Sequence, residues 1–185
     1  MTKLDAKNMP AKELCARIRE STDTALAVEH VNGQRYIAAG LGKKELTLTG
    51  TPGNALGAYL NGTRITVLGN AQDATGDTMN DGAIFVHGSS GDATGYAMRG
   101  GKIYVRGNPG YRAGRMLLRC DTLPPDLPAQ VAARRAGKDD LAAVEPYLAE
   151  YCGVFGLAQE DILRENFFLL EPNTQNPYRQ LYCYS

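Results

Sequence analysis

The stretch that decides the fold runs from Leu46 to Asp121: LTLTGTPGNALGAYLNGTR (46–64), ITVLGNAQDATGDTMNDGA (65–83), IFVHGSSGDATGYAMRGGK (84–102) and IYVRGNPGYRAGRMLLRCD (103–121). These are four consecutive blocks of 19 residues that align without a gap. The fifth position is always glycine (Gly50, Gly69, Gly88, Gly107), and so is the twelfth (Gly57, Gly76, Gly95, Gly114). The first and third are aliphatic throughout: Leu46 and Leu48, Ile65 and Val67, Ile84 and Val86, Ile103 and Val105. The fifteenth is Leu60, Met79, Met98 and Leu117. An apolar alternation of period two, ended by glycine, marks a short strand with one buried face. The rest of each block has too many turn formers for a helix, and it divides most simply into two more short strands.

If each block is one coil of a solenoid, residues 19 apart stack at roughly 4.8 Å and every file becomes a ladder. The glycines then occupy corners and close backbone approaches. Asn54, Asp73 and Asp92 form a further file of corner residues suited to satisfying turn backbone groups. Burial contributes about 1.5–3 kcal/mol per aliphatic side chain, against about 1–2 kcal/mol of backbone entropy per ordered residue. One block, with three or four such side chains, cannot stand alone; a stack can, provided its ends are capped.

Working outward, Pro10–Glu20 reads as a helix with Leu14, Ile18 and Cys15 along one side. Thr24–Val31 and Gln34–Leu41 read as the arms of a hairpin turned at Asn32-Gly33. Beyond Cys120, TLPPDLPAQ predicts an extended linker over Thr122–Gln130. From Lys138 the spacing of Leu141, Val144, Leu148 and Tyr151 predicts a helix, with a kink or restart at Pro146. A second helix is expected over Ala158–Glu165, and FFLLEPNTQNPYRQLYCYS is expected as an extended strap. The reading is therefore an all-β parallel β-helix of about 19 residues per coil with helical ends: a helix and hairpin cap over 1–45, coils over 46–121, and linker, helices and strap over 122–185, all one structural unit.

Composition narrows the function. Twenty Lys plus Arg balance twenty Asp plus Glu, and no basic run alternates with aromatics, which argues against nucleic-acid binding. No signal-peptide core or bilayer-spanning run is present, so no membrane association and a cytoplasmic location are expected. Cys15, Cys120, Cys152 and Cys183 show neither zinc spacing nor a disulfide framework.

The side chains that could carry chemistry each have a structural explanation. His87 shares an outward file with Thr49, Leu68 and Arg106, as a surface ladder position or a partner contact; His30 falls in the hairpin. Asp73, Asp77, Asp81 and Asp92 read as turn carboxylates rather than a calcium site, and the calcium-binding nonapeptide of β-rolls is absent. GNPGYRAG from Gly107 lacks the Lys-Ser/Thr of a phosphate-binding loop, and no GxSxG elbow occurs. Cys152 reads as a buried structural thiol. Phe85 and Tyr104 share an outward file, as a ladder stack or a partner surface. The expectation is no catalytic, cofactor-binding or metal-binding residue, and no cofactor.

The run GTPGNALGAYLNG, followed by GNAQDATGDTMNDGAIFVHGSSGDATGYAMRGGKIYVRGNPGYRAG, resembles the glycine-repeat (GXGXG) domain at the C-terminus of the glutamate synthase large subunit, and more closely its stand-alone forms. NGQRYIAAGL, EYCGVFGL and NPYRQLY extend the resemblance over nearly the whole chain. It implies a right-handed parallel β-helix without catalytic residues or cofactor. It further implies a structural subunit of an oxidoreductase complex in glutamate biosynthesis and nitrogen metabolism, bracing a glutaminase-type partner against an FMN and iron–sulfur synthase-type partner. A subunit of formylmethanofuran dehydrogenase has a similar domain, which makes a scaffold of that complex the alternative. A self-sufficient β-helix enzyme or binding protein for carbohydrate is the third reading, and a homo-oligomer is compatible with any of them. The chain departs from the family in reaching its linker after four full blocks, where members usually have more coils.

Overall fold

The structure, a computed structural model, describes residues 2–110, 116–119, 122–123, 125, 127 and 131–172. The chain divides into two compact units, Met1–Ala113 and Gly114–Ser185.

The first unit is a parallel β-solenoid of about four turns with about 19 residues per coil. Its strands β1 (Thr2–Asp5), β2 (Ala25–Asn32), β3 (Glu45–Thr51), β4 (Asn61–Val67), β5 (Asp81–Val86) and β6 (Lys102–Val105) form one sheet in sequence order, every pair parallel. Leu46, Ile65, Ile84 and Ile103 stand in one register, and Leu48, Val67, Val86 and Val105 in another, as the repeat requires. These ladders build the core. Leu26, Val28, Leu48, Ile65, Val67, Ile84 and Val86 are wholly buried, and Leu56, Leu60 and Met79 meet them from the opposite wall.

That opposite wall differs from the expected pair of strands. Each coil contributes one strand, and residues 54–59, 73–78 and 92–97 are continuous turn. Alternate residues there adopt left-handed φ: Ala55, Gly57 and Tyr59, then Ala74, Gly76 and Thr78, then Ala93, Gly95 and Ala97. The alternation curls the backbone too tightly for a strand. The turns still stack, through bonds such as Gly76 N–H to the Leu56 carbonyl (2.7 Å) and Gly95 N–H to that of Thr75 (2.8 Å).

The expected hairpin is also absent. β2 pairs parallel with β3, and residues 34–41 follow the path of the turn wall, with Tyr36 N–H bonded to the Asn54 carbonyl (3.0 Å). A two-residue type I′ turn needs positive φ at both central residues. Asn32 stays extended at the end of β2 and only Gly33 is left-handed (φ 78°), which makes a corner instead of a reversal. The segment read as a cap therefore supplies the first full coil. β2 carries one extra residue at a bulge between Val28 and Val31, where His30 takes φ 57°, so His30 sits on a bulged strand and not in a hairpin.

α1 (Ala11–Glu20) follows β1 and buries Leu14 and Ile18 on the core, as its spacing requires. Cys15 Sγ lies 3.4 Å from the Tyr36 carbonyl, and Arg19 donates to that of Ala39 (3.1 Å), so the helix occupies backbone acceptors of the first turn wall.

The fourth block leaves the register. Its first half forms β6, but Leu117, expected over Met98, lies in β7 (Met116–Arg119) opposite Leu169 of another sheet. Gly114, Cys120 and Asp121 lie outside the described residues.

The second unit holds an antiparallel sheet in the order β7, β9 (Phe167–Pro172), β8 (Val131–Arg135), with α2 (Lys138–Phe155) and α3 (Gln159–Leu163) between β8 and β9. β8 has no strand signal in the sequence, because VAARR has no alternation of its own and its partner β9 supplies the pairing. FFLLEP, expected as strap, is the central strand; residues 173–185 and most of the linker 122–130 lie outside the described residues. Of the kink or restart expected at Pro146, the restart does not occur: α2 runs on through it, starting where Asp140 accepts the Gly137 N–H (2.7 Å) and ending at left-handed Gly156. Leu148, Cys152, Ile162 and Phe167 form the buried cluster of this unit.

Candidate functional site

The repeat places the chemistry-bearing side chains on two surfaces of the solenoid, the outer face of the parallel sheet and the corners beside it. Side chains alternate along a strand, so the files beside the buried ladders point outward. One reads Glu45, Arg64, Ala83, Lys102, and the next reads Thr47, Thr66, Phe85, Tyr104. His87 and Arg106 continue the outer face beyond Val86 and Val105.

Phe85 departs from expectation. It lies on the outer file as read, yet it is fully buried. Its ring stacks on Tyr104 with centroids 4.9 Å apart and planes at 13°, and the Arg64 guanidinium lies 4.1 Å from its centroid. A cation over one aromatic stacked on another stabilises the outer face by about 1–2 kcal/mol in combination. The pair is thus a packed stack within this chain, not two exposed rings. His87 is half-buried beside Arg106; burial first, and that guanidinium second, hold its imidazole below the ordinary value. Its neutral form is favoured at neutral pH.

The corner carboxylates do not converge. Asp73 Oδ1 accepts the Asp92 N–H (3.0 Å), Asp77 accepts the Thr78 hydroxyl (2.9 Å), and Asp81 pairs in register with Asn61. Among the described residues, no group of three or more His, Cys, Asp and Glu is placed to hold a metal ion. Cys152 is buried in the helical cluster of the second unit. His30 bonds Asp5 through Nδ1 (2.9 Å) on the exposed outer side of the first rungs. The Lys7 N–H and then His30 hold the Asp5 carboxyl below its ordinary value.

A second polar file escaped the sequence reading. Asn70 Oδ1 accepts the Ser89 N–H (2.9 Å), and Ser89 Oγ accepts the Asn108 N–H (3.0 Å), each bond joining one coil to the next. The signal was the sixth block position, occupied by Thr51, Asn70, Ser89 and Asn108 directly after the glycine file. Beside it the glycines stack backbone on backbone. Gly88 N–H bonds the Gly69 carbonyl (2.8 Å), and Gly107 N–H that of Gly88 (2.9 Å). Asn70, Asp73 and Ser89 thus tie each coil to the next, and the stacked glycines do the same through their backbones.

Comparison with known proteins fits that geometry. The GXGXG motif family matches residues 10–118, from the start of α1 into β7. The chain belongs to the GXGXG family. This is the family of the glutamate synthase GXGXG domain. No curated protein and no solved structure matches the chain. The matched span contains every coil of the GXGXG solenoid from β2 onward and both glycine files. Among its described residues, no helix of this GXGXG protein is long and apolar enough to cross a membrane.

Proposed function

We propose that the chain is a non-catalytic structural subunit of a glutamate-synthase-like amidotransferase complex, bracing a glutaminase-type partner and a flavin/iron–sulfur synthase-type partner. Membership of the GXGXG family over residues 10–118 carries this reading. The use of the coil side chains supports it. Asn70, Asp73 and Ser89 are each engaged in a bond to the next coil, and a stack held in this way is a stiff platform.

The test is tagged purification from the native source, with identification of the proteins that accompany the chain and an absorption spectrum of the chain expressed alone. The expected result is co-purification with a glutaminase-type and a flavin/iron–sulfur-type protein, and no flavin or iron absorbance or glutaminase turnover from the chain alone. Flavin bound to the isolated chain overturns the proposal. Association with a molybdopterin protein replaces it with a formylmethanofuran-dehydrogenase-like scaffold, and turnover of a polysaccharide by the isolated chain replaces it with a carbohydrate-active solenoid.

A further inference from the structure

The solenoid begins at a sheet edge whose orientation can be worked out residue by residue. β1 pairs with β2 on one side, and no described strand lies on the other. The Ala6 N–H donates to the Glu29 carbonyl of β2 (2.9 Å). Backbone groups of successive strand residues point to opposite edges, so those of Thr2 and Leu4 also face β2. Those of Lys3 and Asp5 face away from it, along the open edge. The side chains alternate as well. Thr2 and Leu4 stand in register with core residues Leu26 and Val28, whereas Lys3 and Asp5 stand with Ala27 and Glu29 on the outer face. Lys3 and Asp5 side chains are 73% and 63% exposed, and Leu4 is half-buried at the end of the aliphatic ladder.

We propose that this edge pairs antiparallel with the same edge of a second copy of the chain, with Leu4 on the two-fold axis. In that register Lys3 lies opposite Asp5 of the second copy, and Asp5 opposite its Lys3. These are the two residues whose backbone groups face outward, so each opposed pair makes two N–H···O=C bonds and brings unlike charges together. Leu4 meets Leu4 of the second copy at the non-hydrogen-bonded position, Cα atoms about 4.5 Å apart, and covers the half-exposed end of the ladder. Neighbouring registers fail. An axis through Lys3 or through Asp5 sets like charges face to face, and an axis between residues 3 and 4 opposes outward backbone groups with inward ones. Lys3 already contacts Glu29 (3.1 Å), and Asp5 contacts His30 and the Lys7 N–H; a carboxylate with about four acceptor positions accommodates both kinds of partner. A strand of four residues buries less than a standard interface, so the association is weak and depends on concentration. It does not rest on the scaffold role proposed above.

Sedimentation velocity of the full chain across the micromolar to millimolar range tests this, with thermal melts of each variant to verify folding. The wild type should shift from monomer to dimer as concentration rises. Lys3→Pro removes the outward N–H and leaves the bonds to β2, so it should weaken dimerisation by roughly tenfold or more, two donors being lost across the axis. Lys3→Asp should do the same by opposing two carboxylates, and the exchange Lys3→Asp with Asp5→Lys should restore the dimer. A wild type that stays monomeric throughout overturns the proposal. So does a dimer indifferent to Lys3→Pro and to charge reversal.

Discussion

Gly69 shows how little room the column leaves. A Cβ built there would lie 2.5 Å from the Gly50 carbonyl oxygen, a backbone atom that cannot swing away. Gly69→Ala should therefore push two coils apart and lower stability by about 1–3 kcal/mol, the range for forced overpacking, read as a lower Tm in thermal unfolding. His87 sets a pH dependence at the same scale. Its imidazole is held below 6.5 in the folded chain, so the unfolded chain takes up the proton first as pH falls. Its contribution is intact above the ordinary value and is lost progressively as pH drops from there toward the folded value. In His87→Gln, the Tm should be flatter over that interval than in the wild type. Asp5 acts lower still: its contribution is present above the ordinary 3.8 and disappears as pH falls through the depressed folded value.

At the scale of elements, the strand and the turn wall of each coil are built from opposite backbone preferences. The strands were legible because Leu46/Leu48, Ile65/Val67, Ile84/Val86 and Ile103/Val105 alternate and then stop at glycine. The turn wall was not, because Ala55, Tyr59, Ala74, Thr78, Ala93 and Ala97 carry no local sign that they adopt left-handed φ. The stacking bonds between coils hold them there. For Ala97 (φ 51°), this conformation costs about 1–2 kcal/mol, while glycine in its place loses about 0.4–1 kcal/mol through a looser unfolded chain. Ala97→Gly should thus raise stability by about 0.5–1 kcal/mol, measurable as an upward shift in denaturant midpoint. β8 and β9 make the same point in the second unit, since VAARR becomes a strand only beside FFLLEP.

For the molecule as a whole, the aliphatic ladder is one cooperative structure. Ile84 sits wholly buried in register with Ile65 and Ile103, and its Cδ1 reaches to 2.8 Å of where Gly57 would carry a Cβ. Truncation to Ala leaves a cavity that neighbouring rungs, fixed by their own bonds, cannot close. Ile84→Ala should cost about 2–5 kcal/mol, and chemical denaturation should show one shifted transition for the solenoid unit.

Read alone, the sequence determined the repeat, its register and the aliphatic interior, because a period of 19 residues with invariant glycine leaves each file only one way to bury itself. It also pointed to the GXGXG family. Tertiary contacts alone decided where the column starts and stops. Asn32-Gly33 became a corner because β3 offered a parallel partner to β2, and the second half of the fourth block became β7 because β9 offered it an antiparallel partner. Both outcomes depend on which distant strand satisfies a backbone edge, and local sequence does not encode that choice.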